Sequence, residues 1–142
     1  MFQTNTNKST IKEIRERERK EKEDLIKSKC EELAIQKLGS KEALVQLSNK
    51  YKGLWYLPIL DENEEEIIKL LILKPIDRHI LSYASTKIED EGLYIFLEAA
   101  MNECVIKEHS DMDVITEDEY FIPAANKFNK ILEGKKAFMV KR

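Results

Sequence analysis

The sequence predicts a mainly α, α+β fold, and three observations carry that prediction. From Lys74 to Leu132 the chain reads as three amphipathic helices with capping residues, whose apolar faces can only be buried against one another. From Gly53 to Leu73 it is aromatic and aliphatic, interrupted by the turn-like run Asp61-Glu62-Asn63-Glu64, which is the pattern of a β-hairpin. From Arg15 to Asp24 every residue is charged, at spacings that favour a helix without a core to lean on. With 142 residues, four Gly and three Pro, the chain has room for one modest core and few breaks in its helices.

Taken in order, residues 1–9 are polar and are expected to be disordered. Thr10-Ile11-Lys12-Glu13 fits a capping box, and the charged helical extension it opens runs over 10–38, with Gly39 just past its end. Its middle, Arg15–Asp24, holds five basic and five acidic residues. The pairs Glu16–Lys20, Arg17–Glu21, Glu18–Lys22, Arg19–Glu23 and Lys20–Asp24 all attract at i,i+4 spacing, each contributing about 0.2–0.5 kcal/mol. A stretch with no apolar face cannot be buried in a small domain, so it projects into solvent or lies along a partner. Leu25, Ile26, Leu33, Ala34 and Leu38 then supply an apolar end that docks on the body.

The compact domain is expected over 40–134. Ser40 caps a short helix from Lys41 to Lys50 that carries Ala43, Leu44 and Leu47, and Gly53 ends it. The hairpin follows at 54–73, with Pro58 confining its first strand to a sheet edge. Glu62 to Lys74 also fits one helix through Ile67, Leu70, Leu71 and Lys74; the hairpin is the favoured reading. Pro75 is placed to start the third helix, with Asp77 near its positive end and Ile76, Ile80, Leu81, Ala84 and Ile88 as its buried stripe. Asp90 caps a fourth, whose apolar face runs from Leu93 through Phe96, Leu97, Met101 and Cys104 to Val105. After the acidic loop Glu108–Asp113, a second capping box, Thr116-Glu117-Asp118-Glu119, opens a helix bearing Phe121, Ala124, Ala125, Phe128, Ile131 and Leu132. Gly134 ends that helix before the basic tail at 135–142.

Net charge is −3, unevenly placed. Residues 1–53 carry 13 basic and 9 acidic groups, residues 54–126 carry 5 and 17, and residues 127–142 carry 6 and 1. An acidic middle between basic ends is suited to attract a basic partner or a second copy, though solvated helix surfaces are the favoured reading. The two cysteines, Cys30 and Cys104, fall beside apolar residues on helical positions, which points to packed thiols and excludes a disulfide-dense scaffold. The N-terminus has no apolar signal region, and no apolar stretch is long enough to cross a bilayer, so a cytosolic protein is expected.

Catalytic chemistry finds no support in the pattern. His79 and His109 stand thirty positions apart, without a nucleophile or carboxylate at a hydrolase spacing. Asp111, Asp113 and Glu117 begin like a calcium loop, but Thr116 occupies the glycine position and Ile122 the bidentate-Glu position. The scattered glycines form neither a P-loop nor a dinucleotide fingerprint. No enzyme, cofactor or metal is therefore expected. Nucleic-acid binding is disfavoured because the charged helix has as many acids as bases and the basic tail is short. The Trp55/Tyr56 pair and the Tyr94/Phe96 aromatics read as core or hairpin packing in preference to stacking platforms.

The order of features from Ser40 to Leu132 resembles the tail assembly chaperone-like proteins of tailed bacteriophages. The likeness lies in a short helix, a strand pair, a Lys-Pro-bounded helix (Lys74-Pro75-Ile76-Asp77 through Ala84), an Asn-Glu-Cys element (Asn102-Glu103-Cys104), an acidic loop and a last helix from Asp118 to Ala125. A Trp-Gly-Gly-Asp-like segment often found after the Cys is replaced here by Val105 to Asp111, and the charged helix has no counterpart. The resemblance implies a non-enzymatic factor in the host bacterial cytoplasm that binds tape-measure or tail-tube subunits through apolar helical surfaces. Candidate partner-binding residues are the aromatics Tyr94, Phe96, Phe121 and Phe128, as client-facing or core residues, with Arg15 and Arg19 on the charged helix. The competing readings are a structural virion protein, such as a head–tail connector or minor internal component, and a small nucleic-acid-binding regulator.

Overall fold

The computed structural model describes residues 2–86, 92–133 and 139–142, with side chains from Thr10 onward. It has the expected mainly helical architecture built around one β-hairpin. The order is α1 (Phe2–Leu38), α2 (Lys41–Tyr51), β1 (Trp55–Leu60), β2 (Ile67–Leu73), α3 (Arg78–Ser85), α4 (Leu93–Cys104), a 3-10 turn at Lys107–His109, α5 (Asp113–Thr116) and α6 (Asp118–Leu132).

The hairpin is the middle layer, and strand alternation explains how it serves two cores. Leu57, Leu71 and Leu73 point into a cluster with Leu97, Met101, Phe121 and Phe128 of the C-terminal helices. Leu70 and Ile72 point the other way, into a cluster with Cys30 and Ala34 of α1 and Leu44 of α2. The unbroken run Leu70–Leu73 is thus what a strand covered on both faces requires. The expectation that the C-terminal helices bury their faces only on one another is corrected: they also bury them on one side of the sheet.

β1 and β2 pair antiparallel, with Trp55 opposite Leu73, Leu57 opposite Leu71 and a register shift after Ile59. In the connecting turn, Asp61 Oδ1 accepts from the Glu65 and Glu66 amides at 2.9 and 3.3 Å. The far edge of β2 is closed by chain from the other end of the domain. The Ile106 amide donates to the Ile72 carbonyl at 2.8 Å, the Lys74 amide to the Cys104 carbonyl at 2.9 Å, and the Asp111 amide to the Leu70 carbonyl at 3.0 Å. Where no carbonyl is in register, side chains stand in. Asp111 Oδ2 accepts from the Leu70 amide and Ser110 Oγ from the Ile72 amide, both at 2.9 Å. The acidic loop is therefore an irregular edge that satisfies β2, not merely a connection.

Several boundaries differ from expectation. α1 begins at Phe2, so residues 2–9 are helical and Thr10 lies inside the helix instead of capping it. Once a helix is nucleated each further residue adds a hydrogen bond, and residues 2–9 contain neither Gly nor Pro to stop it. Pro75 precedes the third helix without starting it; Asp77 is the N-cap, and its Oδ1 accepts from the Ile80 amide at 2.9 Å. Asp90 and Ile88 lie outside the described residues, and the N-cap of α4 is Gly92, which offers no side chain. Thr116 ends α5, so the second capping box does not form, and Glu117 caps α6 through its backbone alone. Gly134 also lies outside the described residues.

Two helix ends follow their sequence signals. Gly39 takes φ 95° and donates to the Ile35 carbonyl at 2.8 Å, closing α1. Ser40 Oγ accepts from the Ala43 amide at 3.1 Å and opens α2.

Candidate functional site

The surface most suited to a partner surrounds the start of β1. Its local cause is the hairpin's geometry. Trp55 shares a strand face with Leu57, but it sits at the strand's end, past the helices that cover Leu57, and it stays 49% exposed. The indole borders two grooves. One, of about 680 Å³, lies between α1, α2 and β1 and is lined by Ile26, Leu44, Val45, Leu54, Trp55 and Pro58, with Glu23, Lys27 and Glu31 along the α1 side. The other, of about 300 Å³, is formed by Trp55, Pro75, Ile76, Leu81, Ile131 and Leu132. The two form an apolar band around one edge of the molecule, with the only tryptophan at its centre.

The edge of β1 explains how such a partner would be held. Since Leu70 and Ile72 direct their amides away from β1, the outward positions on β1 are Tyr56, Pro58 and Leu60. No hydrogen bond from a described residue reaches the outer main chain of these three. Pro58 has no amide to donate, and its ring occupies the place a neighbouring strand would need. The expected confinement of β1 to a sheet edge is what the pairing shows. Strand addition at this edge is therefore disfavoured, and what the band offers is side-chain packing.

Tyr56 braces the larger groove. Its hydroxyl donates to Glu31 Oε1 at 2.9 Å, and burial, then the Glu31 carboxylate, push its ionisation well above the ordinary tyrosine range. Cys30 lies on the groove floor, but burial and the neighbouring Glu31 push its thiol up to about 11. Burial does the same to Cys104, also to about 11. Both are free thiols, and neither has the depressed ionisation of a nucleophile. Among the described residues, no three His, Cys, Asp or Glu side chains converge on a point that could hold a metal ion.

The sequence-selected residues divide sharply. Phe128 is fully buried and Phe121 is buried in the same cluster, so both belong to the core. Their period on α6 places them on the one face that the hairpin and α4 cover. Phe96 is partly buried against the same cluster. Tyr94 alone among the four aromatics is well exposed: it touches Phe121 edge-on at 6.3 Å between centroids, and its hydroxyl donates to Asn126 Oδ1 at 3.0 Å. Leu93, next to Tyr94 in sequence, and Ile122, next to Phe121, are exposed as well, and neither lines the two grooves. Arg15 and Arg19 are exposed on the arm of α1 and line neither groove. The structure does not bring these six residues together.

Trp55, expected in core or hairpin packing, lies in the hairpin opposite Leu73 and is left half-exposed, outside the core. Its type and its place after Gly53 gave no sign of which end of the strand the helices would leave uncovered.

Comparison with protein-family models, with curated proteins and with solved structures finds no match to this chain. No described helix is long and apolar enough to cross a membrane.

Proposed function

We propose that this protein is a non-enzymatic phage morphogenesis factor, tail assembly chaperone-like, which holds an apolar segment of a tape-measure or tail-tube subunit on the Trp55 band. The observation that carries the reading is the band itself: a half-exposed tryptophan between two apolar grooves, on an edge where Pro58 discourages strand addition. Such a surface suits the apolar face of an amphipathic helix, and a central Trp is the residue type that most often dominates contact energy. The order of elements from Ser40 to Leu132, similar to that of the phage proteins, supplies the client class.

A pull-down from infected cells with the tagged full chain tests this, with partners identified by mass. Recovery of a tail protein by the wild type, and its loss with Trp55→Ala at unchanged circular dichroism, is the expected result. Recovery of no tail protein, or equal recovery by the variant, would sink it. The projecting arm of α1 favours one second reading, a structural virion protein reaching between neighbours. Stoichiometric presence in purified particles would decide for that role, and absence for the chaperone.

A further inference from the structure

Beyond a client, we infer that α1 carries a self-association surface: the face from Lys12 to Glu31 receives α1 of a second copy, antiparallel, beside the groove that α2 walls. Six charges run the length of this face, Lys12, Glu16, Lys20, Glu23, Lys27 and Glu31, with Glu13 at its margin. Steps of three and four residues keep them in one stripe of the helix, and their signs alternate from first to last. A second copy running parallel and in register sets like charges against like. Running antiparallel, it sets Lys12 against Glu31 of the second copy, Glu16 against Lys27, and Lys20 against Glu23, and symmetry repeats each pair. Such an isologous contact closes as a dimer and does not grow into a filament.

Two features of the chain support this beyond the pattern. Lys12, Glu16, Lys20, Glu23 and Lys27 are exposed, and none of them makes an ion pair or side-chain hydrogen bond among the described residues. The expected i,i+4 pairs of the arm are likewise not closed, whereas Lys22, Lys29 and Lys37, on the side facing the body, are each paired with an acid there. Glu31 gives one oxygen to the Tyr56 hydroxyl. The second feature is space: Glu23, Lys27 and Glu31 open onto the 680 Å³ groove, so the stripe faces a trough and not the solvent alone. The stripe spans about 28 Å at the α-helical rise, and side chains from Thr10 to Leu25 are all exposed, so the arm has little support within its own chain. The rival explanation is attraction along a single helix, which predicts a monomer. This surface does not depend on the client reading, and it leaves the second groove beside Trp55 open.

Sedimentation of the full chain at low salt tests it. The expected mass is twice the 16.7 kDa of one chain, falling toward the monomer as salt screens the contacts. Lys20→Glu alone and Glu23→Lys alone should each weaken dimerisation by about tenfold or more, because like charges replace two symmetric ion pairs. An equal mixture of the two variants should recover the dimer, since each reversed charge then meets its complement. Unchanged circular dichroism excludes loss of helix as the cause, and Trp55 emission, shifting to the blue on association, reports the groove directly. A wild type that stays monomeric at low salt overturns the inference, as do variants that dimerise as tightly as the wild type or a mixture that fails to recover.

Discussion

Asp111 ties three parts of the fold together. One carboxylate oxygen accepts from Lys37 of α1 at 2.9 Å and the other from the Leu70 amide at 2.9 Å, so it joins the arm's docked end, the sheet and the 105–111 segment. Partial burial pushes this carboxyl up, but the Lys37 ammonium and the Leu70 amide outweigh it and hold the group below its ordinary value. The unfolded chain, protonating near the usual value of about 3.9, takes up the proton first as acid is added. The stabilisation is therefore whole above that range and is lost as pH falls through the lower folded-state value. Asp111→Ala should cost about 1.5–3 kcal/mol at neutral pH, with the gap from wild type closing in acid; urea midpoints measured against pH would show it. Phe128→Ala, which empties a fully buried site, should cost about 3–5 kcal/mol. A melting temperature unchanged within error would contradict its place in the core.

Among the elements, α2 carries a mismatch that invites repair. Lys52, the cap just past its end, takes φ 58°, a left-handed conformation usually reserved for glycine, while the next amide, of Gly53, donates to the Ser48 carbonyl at 2.8 Å. Lys52→Gly should relieve about 1 kcal/mol of backbone strain, seen as a higher urea midpoint at unchanged slope. The sequence made such things legible where a local signal sufficed: Ser40 and Gly39 marked ends, the Gly53–Leu73 pattern marked the hairpin, and Pro58 marked its edge. It failed where the determinant was non-local. Nothing in Ser110-Asp111 announces that these side chains replace a strand's carbonyls, because their partners Leu70 and Ile72 lie about forty positions away. Thr116 and Pro75 carry start signals, yet Thr116 ends α5 and α3 opens at the Asp77 cap two residues past Pro75. The candidate site was less legible than the fold, since periodicity separates buried from exposed faces but does not say which strand end lacks a cover.

At the scale of the molecule, the two apolar clusters share β2, with Leu70 and Ile72 in one and Leu71 and Leu73 in the other. Loss of either cluster strips one face of the strand, so both should unfold in a single step. Urea curves followed by Trp55 fluorescence and by far-ultraviolet circular dichroism should coincide; two separated transitions would show independent layers. Within α1, amides from Thr10 to Glu21, whose side chains touch no core, should exchange with solvent faster than those of α6. The borrowed edge of β2 also sets an order of events during synthesis. A ribosome that has released the chain only as far as Glu103 leaves the amides of Leu70 and Ile72 bare beside a run of aliphatic side chains. Until the segment that ends at Asp111 emerges, the nascent polypeptide presents a sticky strand bonded only to β1, its outer edge open to any other extended chain.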